Sequence, residues 1–166
     1  KAGIEVTLSK ERDIHGYQQV LASTLEDLRR LSKIVENLFI LAKADAGRYE
    51  LHTERINLCP VITEIAEQLK LIAEPKNIFV STEKMEDAFI EGDELLIRML
   101  LLNLIDNAVK YTHPKGTISL SLCKENGWVN IAILDNGIGI SQKDITHIFD
   151  RFYRANRART ADHTGG

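Results

Sequence analysis

The 166-residue chain reads as an α+β protein. A helical hairpin, half of a dimeric four-helix bundle, is followed by a two-layer α/β sandwich, with helices on one face of a mixed sheet. Three observations predict this. Tyr17, Leu21, Thr24, Leu28, Leu31, Val35, Leu38, Ala42 and Asp45 recur at alternating spacings of four and three, a heptad seam. After residue 57, helical periodicity alternates with short strand-like runs. Turn residues punctuate those runs, notably Glu125-Asn126-Gly127 and Asp135-Asn136-Gly137.

In the first part, Val20, Leu25, Ile34 and Leu41 widen the seam into the stripe a four-helix bundle needs. One short partner helix cannot cover it, so a homodimer is expected; the alternative is a hairpin packed on its own chain. Ile4, Val6 and Leu8 fall on a stub of an earlier helix, and His15 on the turn after it. Gly47 fits the C′ stop of the long helix. Residues 47–57 read as a linker. Asn57 then caps a helix over 58–73, with Pro60 in its first turn and Ile62, Ile65, Ala66, Leu69 and Ile72 on its buried face.

Pro75-Lys76-Asn77 breaks the chain, and 78–81 and 88–91 read as short strands. Asp93 caps an apolar helix that runs to Tyr111. His113-Pro114-Lys115-Gly116 is a turn. Ile118, Leu120 and Leu122 alternate with small polar residues, a strand with one buried side. Val129, Ile131 and Ile133 face the same core from the next strand.

The chemistry lies at the ends of these elements. Asn103, Asn107, Lys110 and Tyr111 stand at i, i+4, i+7 and i+8, one face of the helix. Leu101, Leu104, Ile105 and Ala108 are left to serve a core. Carboxamide oxygens are hard ligands that suit Mg²⁺, and a lysine is a point charge that suits phosphate. A solvated face with an Asp106–Lys110 pair reads equally well from this stripe alone. The strand over 128–134 runs into Asp135-Asn136-Gly137-Ile138-Gly139-Ile140. Two glycines two apart permit close backbone approach to a ligand, and Asp135 can accept from an exocyclic amine. A helix start follows instead of a strand, with Ser141 as its expected N-cap. Phe149-Asp150-Arg151-Phe152-Tyr153-Arg154 then interleaves aromatic and basic groups, ahead of a polar run with Arg157, Arg159 and His163. A mobile basic segment there suits a lid over polyphosphate.

In this order and spacing the motifs resemble the catalytic ATP-binding domain of sensor histidine kinases. Residues 103–111 resemble that family's N box, 135–139 its first glycine box and 149–154 its F box. Upstream, residues 1–46 resemble part of its dimerisation and phosphotransfer helical hairpin, with Ala42-Lys43-Ala44-Asp45-Ala46-Gly47 as the usual end of the second helix. The resemblance implies three parts: hairpin 1–46, linker 47–57 and ATP-binding domain 58–166, of the fold shared with gyrase and chaperone ATPases. It implies ATP and Mg²⁺ as cofactors and a protein-histidine kinase as the parent.

Roles follow from the resemblance. Asn107 is the Mg²⁺ ligand, Asn103 reaches phosphate or metal-bound water, and Lys110 neutralises phosphate charge. Tyr111 packs on ribose or adenine, Asp135 accepts from adenine N6, and Gly137 and Gly139 admit the base. Phe149 and Phe152 anchor the lid, ordinary core aromatics being the alternative, and Arg154 touches phosphate. The phosphoacceptor box is expected before Lys1 and the second glycine box after Gly166, so this chain is not expected to phosphorylate itself. The implied partners are a second copy and the receiver domain of a response regulator. The parent is expected to be anchored in a bacterial inner membrane, with this part in the cytoplasm.

Composition narrows the field. A 44% hydrophobic content can build a core, and a net charge of −3 gives no sign of nucleic-acid binding. Cys59 and Cys123 lack metal-ligand spacing and read as plain thiols. No run of eighteen apolar residues is present. Two alternatives stay open: another ATPase of the same fold, and a dimerisation module without nucleotide chemistry.

Overall fold

The structure, a computed structural model, describes residues 14–150 and Tyr153. The chain forms two compact units that divide between Glu50 and Leu51. The stub carrying Ile4, Val6 and Leu8 lies outside the described residues, as do Phe152, Arg154 and the run after them.

The described part of the first unit is one helix, α1 (Ile14–Asp45). His15 belongs to its first turn rather than to a loop, because the helical pattern needs no break between Ile14 and Tyr17. Leu21, Leu28, Leu31 and Val35 are all more than half exposed, so the heptad seam has no cover within the described residues. The helix ends in a Schellman motif. Gly47 takes φ +63°, its N–H donates to Ala44 O at 3.0 Å, and Arg48 N–H donates to Lys43 O at 2.9 Å.

The second unit opens on β1 (Glu54–Asn57), inside the stretch expected to be a linker. Its polar composition hid a strand with one buried side chain, Ile56. It pairs antiparallel with β3 (Phe89–Gly92) as a two-stranded sheet. Between them run α2 (Leu58–Ala73), a short 3₁₀ turn (Glu74–Lys76) and β2 (Phe79–Met85). After β3 come α3 (Glu94–Tyr111), β4 (Thr117–Glu125), β5 (Trp128–Asp135) and the single turn α4 (Gln142–Ile145). The second sheet has the order β2-β4-β5. β2 lies parallel to β4 and β5 antiparallel to it, so the sheet is mixed. The tight hairpin has left-handed residues at Asn126 and Gly127, φ +51° and +81°, the geometry of a type I′ turn.

Both long helices begin at side-chain caps. Asn57 Oδ1 accepts from Cys59 N at 3.1 Å. Asp93 Oδ1 accepts from Leu96 N, and its other oxygen accepts from His52 N, each at 3.2 Å. The core lies between the helices and the inner sheet face. Ile62, Ile65 and Leu69 of α2 and Leu101 and Ile105 of α3 meet Ile118, Leu120 and Leu122 of β4, and all are buried. Each contributes roughly 1.5–3 kcal/mol relative to exposure. Ile72 departs from the expected buried face at 48% exposed; Ala73 fills the end of that stripe instead. Arg98 ties α3 to α2, with Nε on Glu94 at 2.7 Å and Nη1 on Glu64 at 2.8 Å. The two carboxylates hold its pKa above the ordinary value.

Candidate functional site

α3 buries one side and offers the other. Leu101, Ile105, Ala108 and Val109 go to the core, while Asn103 and Asn107 are exposed and Lys110 and Tyr111 half-buried. Leu104, expected in the core, is 46% exposed, because it lies between the two sides. The Lys110 ammonium stands 5.4 Å from the Tyr111 ring centroid, a cation–π contact that gathers charge and aromatic surface at the last turn.

The loop after β5 is fastened directly to that turn. Ile138 N–H donates to Tyr111 O at 3.2 Å. Gly137 N–H donates to Asp135 Oδ1 at 2.9 Å, so one carboxylate oxygen shapes the loop. A Cβ on Gly137 would lie 2.7 Å from the Tyr111 carbonyl carbon and nearer still to its oxygen. Only glycine allows so close an approach. Gly139 differs: its φ is +64° and open space surrounds it. The structure thus brings Asp135, Gly137 and Tyr111 together and puts Asn103, Asn107 and Lys110 on the same helix.

Sequence reasoning missed Asn136. Its Oδ1 accepts from Thr117 N at 2.8 Å, and its own N–H donates to Thr117 O at 3.2 Å. The loop is therefore also sewn to the start of β4. The available signal was an asparagine inside a turn, where the side chain replaces a backbone acceptor.

Beyond the loop, Ser141 does not cap α4 with its side chain. Its hydroxyl donates to Asp144, whose other oxygen accepts from Tyr153 OH at 2.6 Å. This bond to Asp144 raises the Tyr153 pKa. The His147 ring lies 5.4 Å from the Tyr153 ring and its Nδ1 is 2.8 Å from Asp150 Oδ2. Asp144 is a buried carboxylate, so a polar knot holds the segment that leads away from the loop. Phe149 is 92% exposed.

The donor chemistry fits Mg²⁺ held through a nucleotide. Among the described residues no group of three or more His, Cys, Asp or Glu could hold a metal by itself. Mg²⁺ commonly takes one or two protein oxygens and completes its shell with phosphate and water. The exposed carboxamide oxygen of Asn107 has the chemistry of such a ligand. Among the described residues no helix is long and apolar enough to cross a membrane.

Residues 92–166 match the family described as histidine kinase-, DNA gyrase B- and HSP90-like ATPases. The sensor protein CopS of Pseudomonas syringae pv. tomato is 34% identical over 155 residues, which are 93% of this chain and 31% of that protein. The sensor histidine kinase WalK of Bacillus subtilis is 32% identical over 142 residues, 84% of this chain and 23% of that protein. The chain spans about a third or less of the length of the curated relatives it matches. Among solved structures, the Acinetobacter baumannii histidine kinase AdeS superposes with a TM-score of 0.70 at 22% identity, covering 86% of this chain and 69% of that one. Histidine kinase ThkA, solved in complex with the response regulator TrrA, gives 0.71 at 23% identity, covering 92% and 45%. At these identities the structures establish the fold alone.

Proposed function

We infer that this chain, which belongs to the sensor histidine kinases, is the ATP-binding and catalytic portion of a kinase that transfers the γ-phosphoryl group of ATP to a histidine. One observation carries the reading. The Asp135–Gly139 loop is hydrogen-bonded at Ile138 to the last turn of the helix that bears Asn103, Asn107 and Lys110. An adenine-reading carboxylate and a phosphate-reading stripe are thereby fixed relative to each other.

Phosphoryl transfer of this kind needs positioning and charge neutralisation more than covalent help. Bound Mg²⁺ would neutralise phosphate charge. Asn107 would hold it through the carboxamide oxygen, Asn103 would orient phosphate or metal-bound water, and Lys110 would carry compensating charge. Tyr111 would pack on ribose or base. Asp135 would accept from adenine N6, with Gly137 and Gly139 giving the base room. Phe149, Phe152 and Arg154 would serve the lid. The exposed seam of α1 supports a homodimer, in which a second copy would cover the apolar stripe. The directly attached α1 also favours a kinase over gyrase- or chaperone-type relatives of the fold. We further propose relay of the phosphoryl group to an aspartate of a response regulator, in a parent anchored in the bacterial inner membrane.

The test is calorimetric titration with ATP, with and without Mg²⁺, followed by phosphotransfer from the parent kinase to a receiver domain. Saturable Mg²⁺-dependent binding with transfer is expected; a chain that ignores ATP in both titrations overturns the reading.

Asp135→Asn gives a sharper test of base recognition. The amide can still accept from Gly137 N–H, so the loop should keep its shape, but it presents N–H₂ where adenine also donates. ATP affinity should fall by a factor of about 10 to 100, as expected when a buried donor loses its acceptor. ITP, whose base offers a carbonyl at that position, should bind the variant better than ATP does. Competition titration reads the ratio, and an unchanged preference for ATP removes Asp135 from base recognition.

A further inference from the structure

The C-terminus of α3 leaves four backbone carbonyls without partners inside the helix, as every helix end does. Each of the four has a specific donor. Ala108 O accepts from Thr112 N at 3.0 Å. Val109 O and Lys110 O both accept from the Lys76 ammonium, at 2.8 and 3.0 Å. Tyr111 O accepts from Ile138 N at 3.2 Å. The last turn of the helix is therefore held by its own chain, by one distant lysine and by the glycine loop.

Lys76 belongs to none of the motifs. It ends the 3₁₀ turn Glu74–Lys76, 34 positions before Lys110 in sequence. The next residue, Asn77, turns the backbone to φ +53°, and its N–H donates to Glu74 O at 2.8 Å. Lys76 O accepts from Lys115 N at 3.0 Å, which ties the same residue to the 113–116 turn. Its side chain is half-buried. A cation against the last carbonyls also complements the negative end of the helix dipole. A neutral side chain there would leave two carbonyls of the helix end unsatisfied beside the loop.

We propose that Lys76 is a positioning residue for the nucleotide site: by clasping Val109 O and Lys110 O it fixes the last turn of α3, on which Lys110, Tyr111 and the Asp135–Gly139 loop all depend. The loop hangs on the very next carbonyl, that of Tyr111. Movement of the turn would therefore separate the phosphate stripe from the base-reading loop. This inference rests on the nucleotide-binding reading above.

The test is titration of the full chain with Mg²⁺-ATP, together with amide hydrogen exchange, for wild type, Lys76→Met, Lys76→Arg and the exposed control Lys70→Met. Lys76→Met should weaken Mg²⁺-ATP binding about tenfold, the scale of a lost charged hydrogen-bond pair. Exchange should accelerate at Thr112 and Ile138 while amides in the middle of β4 and β5 stay protected. Lys76→Arg keeps the cation and its donors, and should bind within about threefold of wild type. Lys70→Met should match wild type. Equal affinity of Lys76→Met and wild type overturns the proposal. So does weaker binding without local exchange, which would mean that charge alone matters, or with uniform loss of protection, which would mean general unfolding. A wild-type chain that binds no ATP overturns the nucleotide-binding reading, and this inference falls with it.

Discussion

Replacing Asn107 by alanine in the complete kinase should remove most Mg²⁺-dependent phosphoryl transfer, by about 100-fold or more, because a metal contact stabilises the transition state by several kcal/mol. The fold should not suffer. Asn107 is exposed on α3, and alanine is the better helix former by a few tenths of a kcal/mol. A melting temperature equal to or above wild type is therefore expected beside a lost activity. ATP binding measured in excess chelator should change much less than transfer, since only the metal-linked part of the interaction is gone. Autophosphorylation within about threefold of wild type would exclude the metal-ligand role, because such a change is under 1 kcal/mol. Asn103→Ala is the informative companion. It lies one turn earlier and is just as exposed, so similar losses would mean both amides serve the phosphates, and a selective loss at Asn107 would isolate the metal.

Periodicity made the long elements legible. The Asn57 cap and the Asp93 cap stand where the sequence puts them, because an Asn or Asp before an apolar helical pattern has few other ways to satisfy the first amides. The hairpin at Asn126-Gly127 and the buried side of β4 were legible for the same local reason. β1 was not. A four-residue strand with a single buried isoleucine has no period to detect, and its existence depends on β3, more than 30 residues away. The candidate site divides along the same line. Which residues share the exposed face of α3 follows from helical spacing. That Tyr111 O receives Ile138, that Asn136 stitches the loop to Thr117, and that Lys76 closes the helix end are all tertiary contacts between separate elements, and no local pattern encodes them. Ser141 stands at the N-cap, as its position suggested, but a buried carboxylate three residues on takes the hydroxyl that would otherwise bond the helix amides, and that contact is not legible locally.

The glycine loop allows the sharpest separation of two explanations for a motif glycine. Gly137→Ala should be severe. The added Cβ would drive into the Tyr111 carbonyl, and that carbonyl belongs to a helix turn packed on buried Ala108 and Val109. Neither side can yield without breaking the Ile138–Tyr111 hydrogen bond. Overpacking against backbone should destabilise the unit by roughly 1–3 kcal/mol, and nucleotide affinity should fall by more than about tenfold as Asp135 moves off the helix. Gly139→Ala meets no atom within 4 Å, so its only penalty is the left-handed backbone, about 1–2 kcal/mol for a residue with a Cβ. Asparagine tolerates that conformation, and Gly139→Asn should recover part of the loss. Thermal unfolding and nucleotide titration of the three variants separate steric approach from backbone conformation. Should Gly137→Ala bind nucleotide as wild type does, the contact between the loop and the helix end is not what aligns the site.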